Sequence, residues 1–348
     1  MDLSIKRLAV GAVGLIVGLI AILVIAYLTG IIGLPSVTVD DPGDWGNTTE
    51  NSTGIVTTLN VDNPNPIGVT LSSGFSAEYQ VAMNDVELVT GSRDAISIPK
   101  GKSTIQLRSA LDNDKLDSWW VAFVRNDETI EMRATGSADV SAVLSKTISF
   151  PAFEQTLLED QRPVVDSFDA AVSDMEGAYT ADAGLVSAGY EIRDASAEWG
   201  EVTEPTSNMT LTFEIHNPGD VPVPLVPDGF RLNATGNGVP LFTASGDALT
   251  PQNVPRDATL APGETETVNY TVSMDNENID EWFVSHVRND EQTDFVIKPQ
   301  LEFEIPDTDV GITIPRDGPG YRCSLQTAIL VDNQSTETTC GSGGSAGA

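Results

Sequence analysis

The sequence is poor in the residues from which most catalytic and metal sites are built. Its 348 residues include only two histidines, His216 and His286, and two cysteines. The sequence therefore offers few candidates for a Ser-His-Asp triad or for a metal site with several histidine ligands. The sequence also has no glycine-rich phosphate loop and no activated serine or cysteine context. We expect a protein that is not an enzyme and that binds no cofactor or structural metal.

The two cysteines, Cys323 and Cys340, both lie close to the C-terminus. Their spacing is not that of a zinc motif, and no histidine lies near them. In an oxidising compartment they can pair and close a small loop. The alternative is a pair of free thiols.

Basic residues are scarce as well: 18 Lys and Arg stand against 51 Asp and Glu, for a formal net charge of -33. Without a basic patch to meet phosphates, nucleic acid is not expected as a partner. The hydrophobic content of 40% separates the chain from disordered acidic proteins. Molar salt shortens the Debye length to ~3 Å and screens the self-repulsion of such a surface. The composition is typical of a halophile whose acidic surface binds cations loosely.

One nineteen-residue segment occurs twice, at 111–129 and at 274–292, with ten identical positions. Upstream, Asn63-Pro64 matches Asn217-Pro218. A long internal repeat of this kind indicates that a folding unit was duplicated. We expect one domain at 36–145 and a second at 189–306, each of ordinary domain size.

Two segments lie outside the predicted domains. Residues 146–188 have weak helical periodicity, interrupted by Pro163, and are expected to form a partly helical connector. Residues 307–348 are polar and end in a Gly/Ser-rich stretch, which predicts a flexible tail.

Each copy has the pattern of a β-rich domain with one helix. Short runs of alternating apolar and polar residues, separated by turn residues every ~8–12 positions, predict an antiparallel β-sandwich. After these runs, the apolar residues recur at helical spacing. This apolar stripe predicts a helix that covers the sheet, with Asp112 or Asp114 as its N-cap. The stripe residues are Leu116, Trp119, Trp120, Phe123 and Val124 in the first copy. Their equivalents in the second copy are Ile279, Trp282, Phe283, His286 and Val287.

The acidic run Asp112–Asp117, with its equivalent Asp275–Asp280, is the nearest candidate for a calcium site. It lacks the glycine and the distal glutamate of an EF-hand loop. Capping of the following helix explains the same residues more simply.

An uncharged run from Leu8 to Leu34 predicts a single transmembrane helix within residues 1–34. Lys6 and Arg7 precede the run, and the next basic residue is Arg93. This asymmetry predicts a cytoplasmic N-terminus and an extracellular location for the rest of the chain. A cleaved signal peptide is the alternative, but the run is longer than the usual ~7–15 apolar residues.

Six Asn-x-Ser/Thr sequons follow the anchor and are candidates for N-glycosylation, as suits an extracellular chain. They begin at Asn47, Asn51, Asn208, Asn233, Asn269 and Asn333.

The break Asn63-Pro64-Asn65-Pro66 after an alternating strand, with the Asp/Trp-rich helix further on, resembles the late embryogenesis abundant type-2 family. The unit of that family is the WHy domain (water stress and hypersensitive response). The second copy keeps only Asn217-Pro218 of the motif. The resemblance implies an immunoglobulin-like or fibronectin-like sandwich with one helix. It also implies a non-enzymatic role in desiccation or other water stress.

Together these features predict a membrane-anchored extracellular protein that protects the cell envelope, or proteins, through a hydrated acidic surface. The alternative is a structural or adhesive module that binds another envelope protein.

Overall fold

A computed structural model describes residues 36–71, 75–140, 146–149, 152–183, 186–245, 251, 254–305, 311–315, 320–327, 329–330 and 335–342. The predicted anchor at Leu8–Leu34 and the sequon at Asn333 lie outside these residues. Within the described ranges, no helix combines the length and the apolar character needed to cross a membrane.

The described chain is mainly β, with three α-helices. The strands of its first half are β1 (Ser36–Thr48), β2 (Ser52–Asn63), β3 (Val69–Leu71), β4 (Phe75–Met83), β5 (Val86–Arg93), β6 (Ile96–Ile98), β7 (Gly101–Asp112), β8 (Ile130–Val140), β9 (Lys146–Ser149) and β10 (Phe153–Leu157). The strands of its second half are β11 (Gly177–Ala183), β12 (Val186–Val202), β13 (Thr206–His216), β14 (Val223–Pro224), β15 (Gly229–Gly236), β16 (Val239–Ser245), β17 (Thr259–Leu260), β18 (Thr265–Asp275), β19 (Gln292–Glu304), β20 (Gly311–Ile314), β21 (Tyr321–Gln326) and β22 (Glu337–Ser342). The helices are α1 (Leu116–Arg125), α2 (Pro163–Ser173) and α3 (Ile279–Arg288).

The chain divides into two compact units, which confirms the predicted tandem of β-rich domains. The first unit comprises Met1–Gln161, Val287–Glu291 and Thr327–Ser335. The second comprises Arg162–His286, Gln292–Gln326 and Thr336–Ala348.

The sheets of the two units share one strand order. The first sheet runs β1-β2-β7-β5-β4-β8-β10, with β9 also paired to β8. The second runs β11-β12-β13-β18-β16-β15-β19-β21-β22, with β20 also paired to β19. The order β1-β2-β7-β5-β4-β8 thus returns as β12-β13-β18-β16-β15-β19, and each unit adds a small two-stranded sheet, β3-β6 or β14-β17.

The sheet of the second unit folds back on itself. Among the described residues, β16 and β18 are paired at Phe242 and Met274 alone, so the sheet is weakly joined there. Tyr190 of β12 stacks on Phe303 of β19, with ring centroids 4.1 Å apart, although four other strands lie between them in the order. The two layers of strands enclose the core.

The helical stripes are confirmed in both copies. All five stripe residues of α1 are buried, as are the five of α3. Each helix is followed, after one asparagine, by two consecutive residues with positive φ, at Asp127 and Glu128 (54° and 58°) and at Asp290 and Glu291 (52° and 58°). Two such residues in succession stop a helix, because the left-handed region cannot continue it. The repeated Asn-Asp-Glu after each stripe is therefore a helix terminator.

The connector differs from the prediction in two respects. Pro163, which we expected to interrupt the helical periodicity, is the first residue of α2, where its missing N–H costs nothing. The other described residues of 146–188 include strands: β9 and β10 pair with β8, and β11 pairs with β12.

The segment 307–348 also departs from the flexible polar tail that we expected. It adds β20, β21 and β22 to the second sheet. Ile312 and Ile314 alternate into the core, and so do Cys323 and Leu325. In strands this short, two apolar residues are enough for one buried face, and their polar neighbours mask the pattern.

Candidate functional site

The asparagine of the Asn-Pro motif is a buried loop-forming residue in both copies. The side-chain amide of Asn63 donates to the carbonyl oxygens of Ile67 and Pro99, both at 3.1 Å. That of Asn217 donates to the carbonyls of Val221 and Leu260, both at 2.8 Å. Each bond pattern ties the break after a strand to a second, distant segment of the same unit.

The other end of each amide is occupied as well. The side-chain oxygen of Asn63 accepts from the backbone N–H of Asn65 at 3.1 Å and from its side-chain amide at 2.7 Å. The oxygen of Asn217 accepts from the backbone N–H of Gly219 at 2.9 Å. The motif prolines Pro64, Pro66 and Pro218 are exposed. The hydrogen-bonding groups of the motif asparagine are therefore used within its own unit, in the loop and in the segment that meets it.

A second pair of asparagines fixes the start of the repeated helical segment. Asn113 donates to the carbonyls of Thr49 and Glu50, at 3.1 and 3.0 Å. In the second copy, Asn276 donates to the carbonyls of Thr203 and Glu204 at 2.9 and 3.0 Å. All four acceptors belong to hairpin turns between neighbouring strands.

The acidic run weighed as a calcium site caps a 3-10 turn instead. Asp112 accepts from the backbone N–H of Asp114 at 3.2 Å, and Asp275 accepts from that of Glu277 at 3.1 Å. No group of three or more His, Cys, Asp or Glu side chains suited to a metal ion occurs among the residues that the structure describes.

Two buried carboxylates were not identified from the sequence. Glu128 and Glu291 follow α1 and α3 at matched positions, and each is fully buried. Glu291 accepts hydrogen bonds from the Trp45 indole at 2.8 Å, the Thr327 hydroxyl at 2.8 Å, and the backbone N–H groups of Ile329 and Leu330 at 2.6 Å. All of these residues belong to the first unit. Because its oxygens are saturated and shielded from solvent, Glu291 is suited to holding a loop in place.

The two histidines have separate structural environments. His216 is half-buried, and its Nδ1 lies 3.0 Å from the hydroxyl of Thr265. His286 is buried, with Nδ1 2.8 Å from the hydroxyl of Thr293. That hydroxyl also accepts from the Trp282 indole at 3.1 Å.

The described sequons differ in exposure. Asn47, Asn51 and Asn233 are exposed, whereas Asn208 and Asn269 are half-buried. The side-chain oxygen of Asn208 accepts from Ser273 at 2.6 Å, which fixes the orientation of this amide. Exposure favours the first three as acceptors, and glycosylation of all of them stays a prediction.

Cys323 and Cys340 are joined by a disulfide. They occupy paired positions on β21 and β22, which places their side chains on the same face of the sheet. The bond ties the final strand of the described chain to its neighbour.

Known structures resemble the chain only distantly. A protein from Archaeoglobus fulgidus is 23% identical, with 35% of this chain and 92% of that one covered and a TM-score of 0.28. A glycoside hydrolase family 2 beta-glucuronidase is 10% identical, with 83% of this chain and 26% of that one covered and a TM-score of 0.20. Scores this low support no conclusion about fold or function. No curated protein is significantly similar in sequence.

A family model does match part of the chain. Residues 58–155, which include the motif from Asn63 to Pro66 and the whole of α1, match the model for "Late embryogenesis abundant protein". The resemblance drawn from the motif and the helix is thereby supported over the first copy as a likeness to late embryogenesis abundant proteins.

Proposed function

We propose that the chain is a non-enzymatic protein of the desiccation or water-stress response. The observation that carries this proposal is the family match over residues 58–155. In this proposal the protein is a WHy-domain member with two copies of the unit, held at the membrane by the segment Leu8–Leu34, with its folded units outside the cell of a halophile.

The proposed mechanism is hydration by surface carboxylates. Of the acidic side chains whose burial the structure describes, Glu128 and Glu291 alone are buried, so the others reach solvent. The excess of 33 acidic residues (51 minus 18) leaves most carboxylates without a basic partner of their own. Such a surface retains water and loosely bound cations as the surroundings dry, and it keeps neighbouring molecules apart.

The alternative, an adhesive module that binds one envelope protein, has less support from the surface. Among the described residues, Ile67 is the large hydrophobic side chain that stands exposed, at 60%. Specific protein partners usually meet a contiguous apolar patch. The exposed side chains therefore favour the proposed role in hydration over the binding of one envelope protein.

The test of protection is a drying and freezing assay. The purified full chain is mixed with a labile test enzyme, and the activity recovered after rehydration or thawing is compared with that in the presence of an equally acidic, unrelated folded protein. The proposal predicts greater recovery with this chain. Equal recovery would reduce the effect to bulk charge and count against a dedicated protective role.

The proposed location needs a separate test. Intact cells carrying the full chain are treated with a protease, and fragments are detected through an epitope placed after Ala348. Loss of the epitope from intact cells, with the protein recovered in the membrane fraction, is the expected result. A protected epitope or a soluble protein would contradict the proposed topology.

A further inference from the structure

A depression of about 590 Å³ lies on the first unit, on a face formed by three adjacent strands, β4, β5 and β8. Strand β4 is central, and β5 and β8 flank it. The residues of β4 that point to this face, Glu78 and Gln80, are exposed, while Tyr79 between them is buried. The depression is therefore on the outer side of the sheet, away from the core.

The polar side chains lining it form two rows of three. Cross-strand pairing places Gln80 opposite Thr90 on one side and Thr135 on the other. It places Glu78 opposite Ser92 and Ser137 in the same way. In each row a carboxylate or amide is thus flanked by two hydroxyls. Neighbouring strands lie ~4.8 Å apart, and alternate residues of a strand ~7 Å apart, so the array covers about 10 by 7 Å.

The donors and acceptors of this array are open to a ligand. Within the described part of the chain, these six side chains make no side-chain hydrogen bond or ion pair with other residues. Hydroxyls and an amide both donate and accept, and the one carboxylate accepts two bonds side by side. Glu78 disfavours anions, and the lining has no basic residue to attract them. The lining is completed by Tyr79, Gly91 and Gly136; because Tyr79 is buried, no exposed apolar side chain is present to bind a lipid tail.

The second unit has a different surface at the matched positions. The hairpin turns Asn84-Asp85 and Asn237-Gly238 align the two copies here. The positions equivalent to the six array residues are occupied by Arg231, Asn233, Thr243, Ser245, Lys298 and Gln300. Two basic residues thus stand in place of Glu78 and Thr135. The strand framework is shared by both units, but the array with one carboxylate and no basic residue belongs to the first alone.

We propose that the array on β4, β5 and β8 is a binding site for a neutral saccharide, with the carboxylate of Glu78 accepting from two adjacent sugar hydroxyls. Gln80 and the four flanking hydroxyls bind the remaining hydroxyls of one or two sugar rings. The ligand is a free disaccharide or the neutral end of a glycan, since both present the same hydroxyl groups. This site goes beyond the proposed hydration by surface charge and does not depend on it.

The test is ligand-observed saturation-transfer NMR on the full chain with trehalose, sucrose and the uncharged glycans of a high-mannose glycoprotein as probes. Saturable transfer to a disaccharide assigns the site to free sugars, and transfer to the glycoprotein glycan alone assigns it to glycans. Glucuronate serves as the anionic control and is expected to bind at least tenfold more weakly than a neutral sugar.

The decisive variant is Glu78→Arg with Thr135→Lys. It installs residues that the second unit carries at the same positions of the same sheet, so the fold accommodates them. The variant replaces the carboxylate acceptor and one hydroxyl by cations that can only donate, which is expected to weaken binding at least tenfold. The matched control, Asn233→Ala in the second unit, is expected to bind like the wild type. Absence of saturable transfer to every neutral probe, unchanged binding by the double variant, or preferential binding of glucuronate would each overturn the proposal.

Discussion

The hydroxyl of Ser207 donates a 2.9 Å hydrogen bond to the side-chain oxygen of Asn276, and both residues are fully buried. The matched residues of the first copy are Thr53 and Asn113. Both are also fully buried, but within the described residues neither the Thr53 hydroxyl nor the Asn113 oxygen has a hydrogen-bond partner. One internal site is therefore satisfied in the second copy and unsatisfied in the first.

This difference predicts opposite responses to removal of the hydroxyl. Ser207→Ala leaves the oxygen of Asn276 buried without that donor and should lower the free energy of unfolding by about 1–3 kcal/mol. Thr53→Val replaces an unpartnered hydroxyl by a methyl group of similar shape and should be neutral or stabilising. Urea unfolding of both variants measures the effect. Equal losses in the two would show that the hydroxyls have the same role.

The hydrogen bonds of the Asn-Pro motif predict that its asparagine contributes far more to the free energy of unfolding than its proline does. Asn217→Asp turns an amide that donates to two carbonyls into a buried carboxylate that repels them. We expect a loss of about 3 kcal/mol or more in the free energy of unfolding. Pro218→Ala, at an exposed neighbouring position, should change it by no more than about 1 kcal/mol.

Thermal and urea unfolding of the two motif variants distinguish a loop-forming role from a ligand-binding one. If Asn217→Asp keeps its full stability but loses protective activity, the structural interpretation of the motif is wrong.

A third prediction concerns a polar pair that the first copy lacks. His286 and Thr293 are hydrogen-bonded in the core of the second unit, whereas the first copy has Phe123 and Ile130 at these positions. His286→Phe removes one of the two partners of the Thr293 hydroxyl, and Thr293→Ile removes that hydroxyl from both His286 and the Trp282 indole. Each should cost about 1–3 kcal/mol.

The double variant His286→Phe with Thr293→Ile restores an apolar pair that the first copy already accommodates. It should cost clearly less than the sum of the single changes, with a coupling of about 0.5–3 kcal/mol. A double-mutant cycle from urea unfolding checks this, and additive losses would mean that the pair is not coupled.

The parts of the fold that the sequence predicts are those set by local periodicity. The stripe from Leu116 to Val124 is a buried helix because its spacing alone decides which face is apolar. The role of Asn63 could not be read in this way, because its partner Pro99 lies 36 residues along the chain and meets it only after two strands have paired. The array around Glu78 was missed for the same reason, since only strand register brings its three strands together.

In 307–348, strands form that the local composition did not predict. Their strands are short, and β21 pairs with β19 at positions such as Cys323 opposite Phe295. A polar strand at a sheet margin is stabilised by a neighbour supplied by the rest of the fold. Composition therefore predicted a flexible tail in a segment that forms strands by pairing with other parts of the chain.

Alkaline pH should destabilise the second unit through two core tyrosines. Burial, with smaller contributions from Asp228 and Tyr270, raises the pKa of Tyr190 far above its usual value, and burial likewise raises the pKa of Tyr270. In the unfolded chain both ionise near pH 10. Their contribution to stability is thus fully present below about pH 10 and is lost as pH rises above it, by about 1.4 kcal/mol per pH unit for each tyrosine.

Tyr270→Phe provides the matched control for this pH dependence. The Tyr270 hydroxyl is buried without a hydrogen-bond partner in the described structure, so phenylalanine fits in its place. Urea unfolding between pH 8 and pH 11 should show a slope above about pH 10 that is shallower in the variant than in the wild type. Identical slopes in the two proteins would show that Tyr270 does not resist ionisation.

Salt dependence should follow the excess of acidic groups. Asp194, Glu198 and Glu201 are exposed on β12, and the variant with Asn, Gln and Gln at these positions removes three negative charges from a chain of net charge -33. At low salt its Tm should exceed that of the wild type, because self-repulsion is reduced. In molar salt, where the Debye length is ~3 Å, the two values of Tm should converge.

Arg108→Gln, which removes an exposed positive charge, is the control variant. Its Tm should be lower than that of the wild type at low salt and should converge with it in molar salt. A gain in the triple variant that persists unchanged in molar salt would point to local strand propensity, not to repulsion among the surface carboxylates.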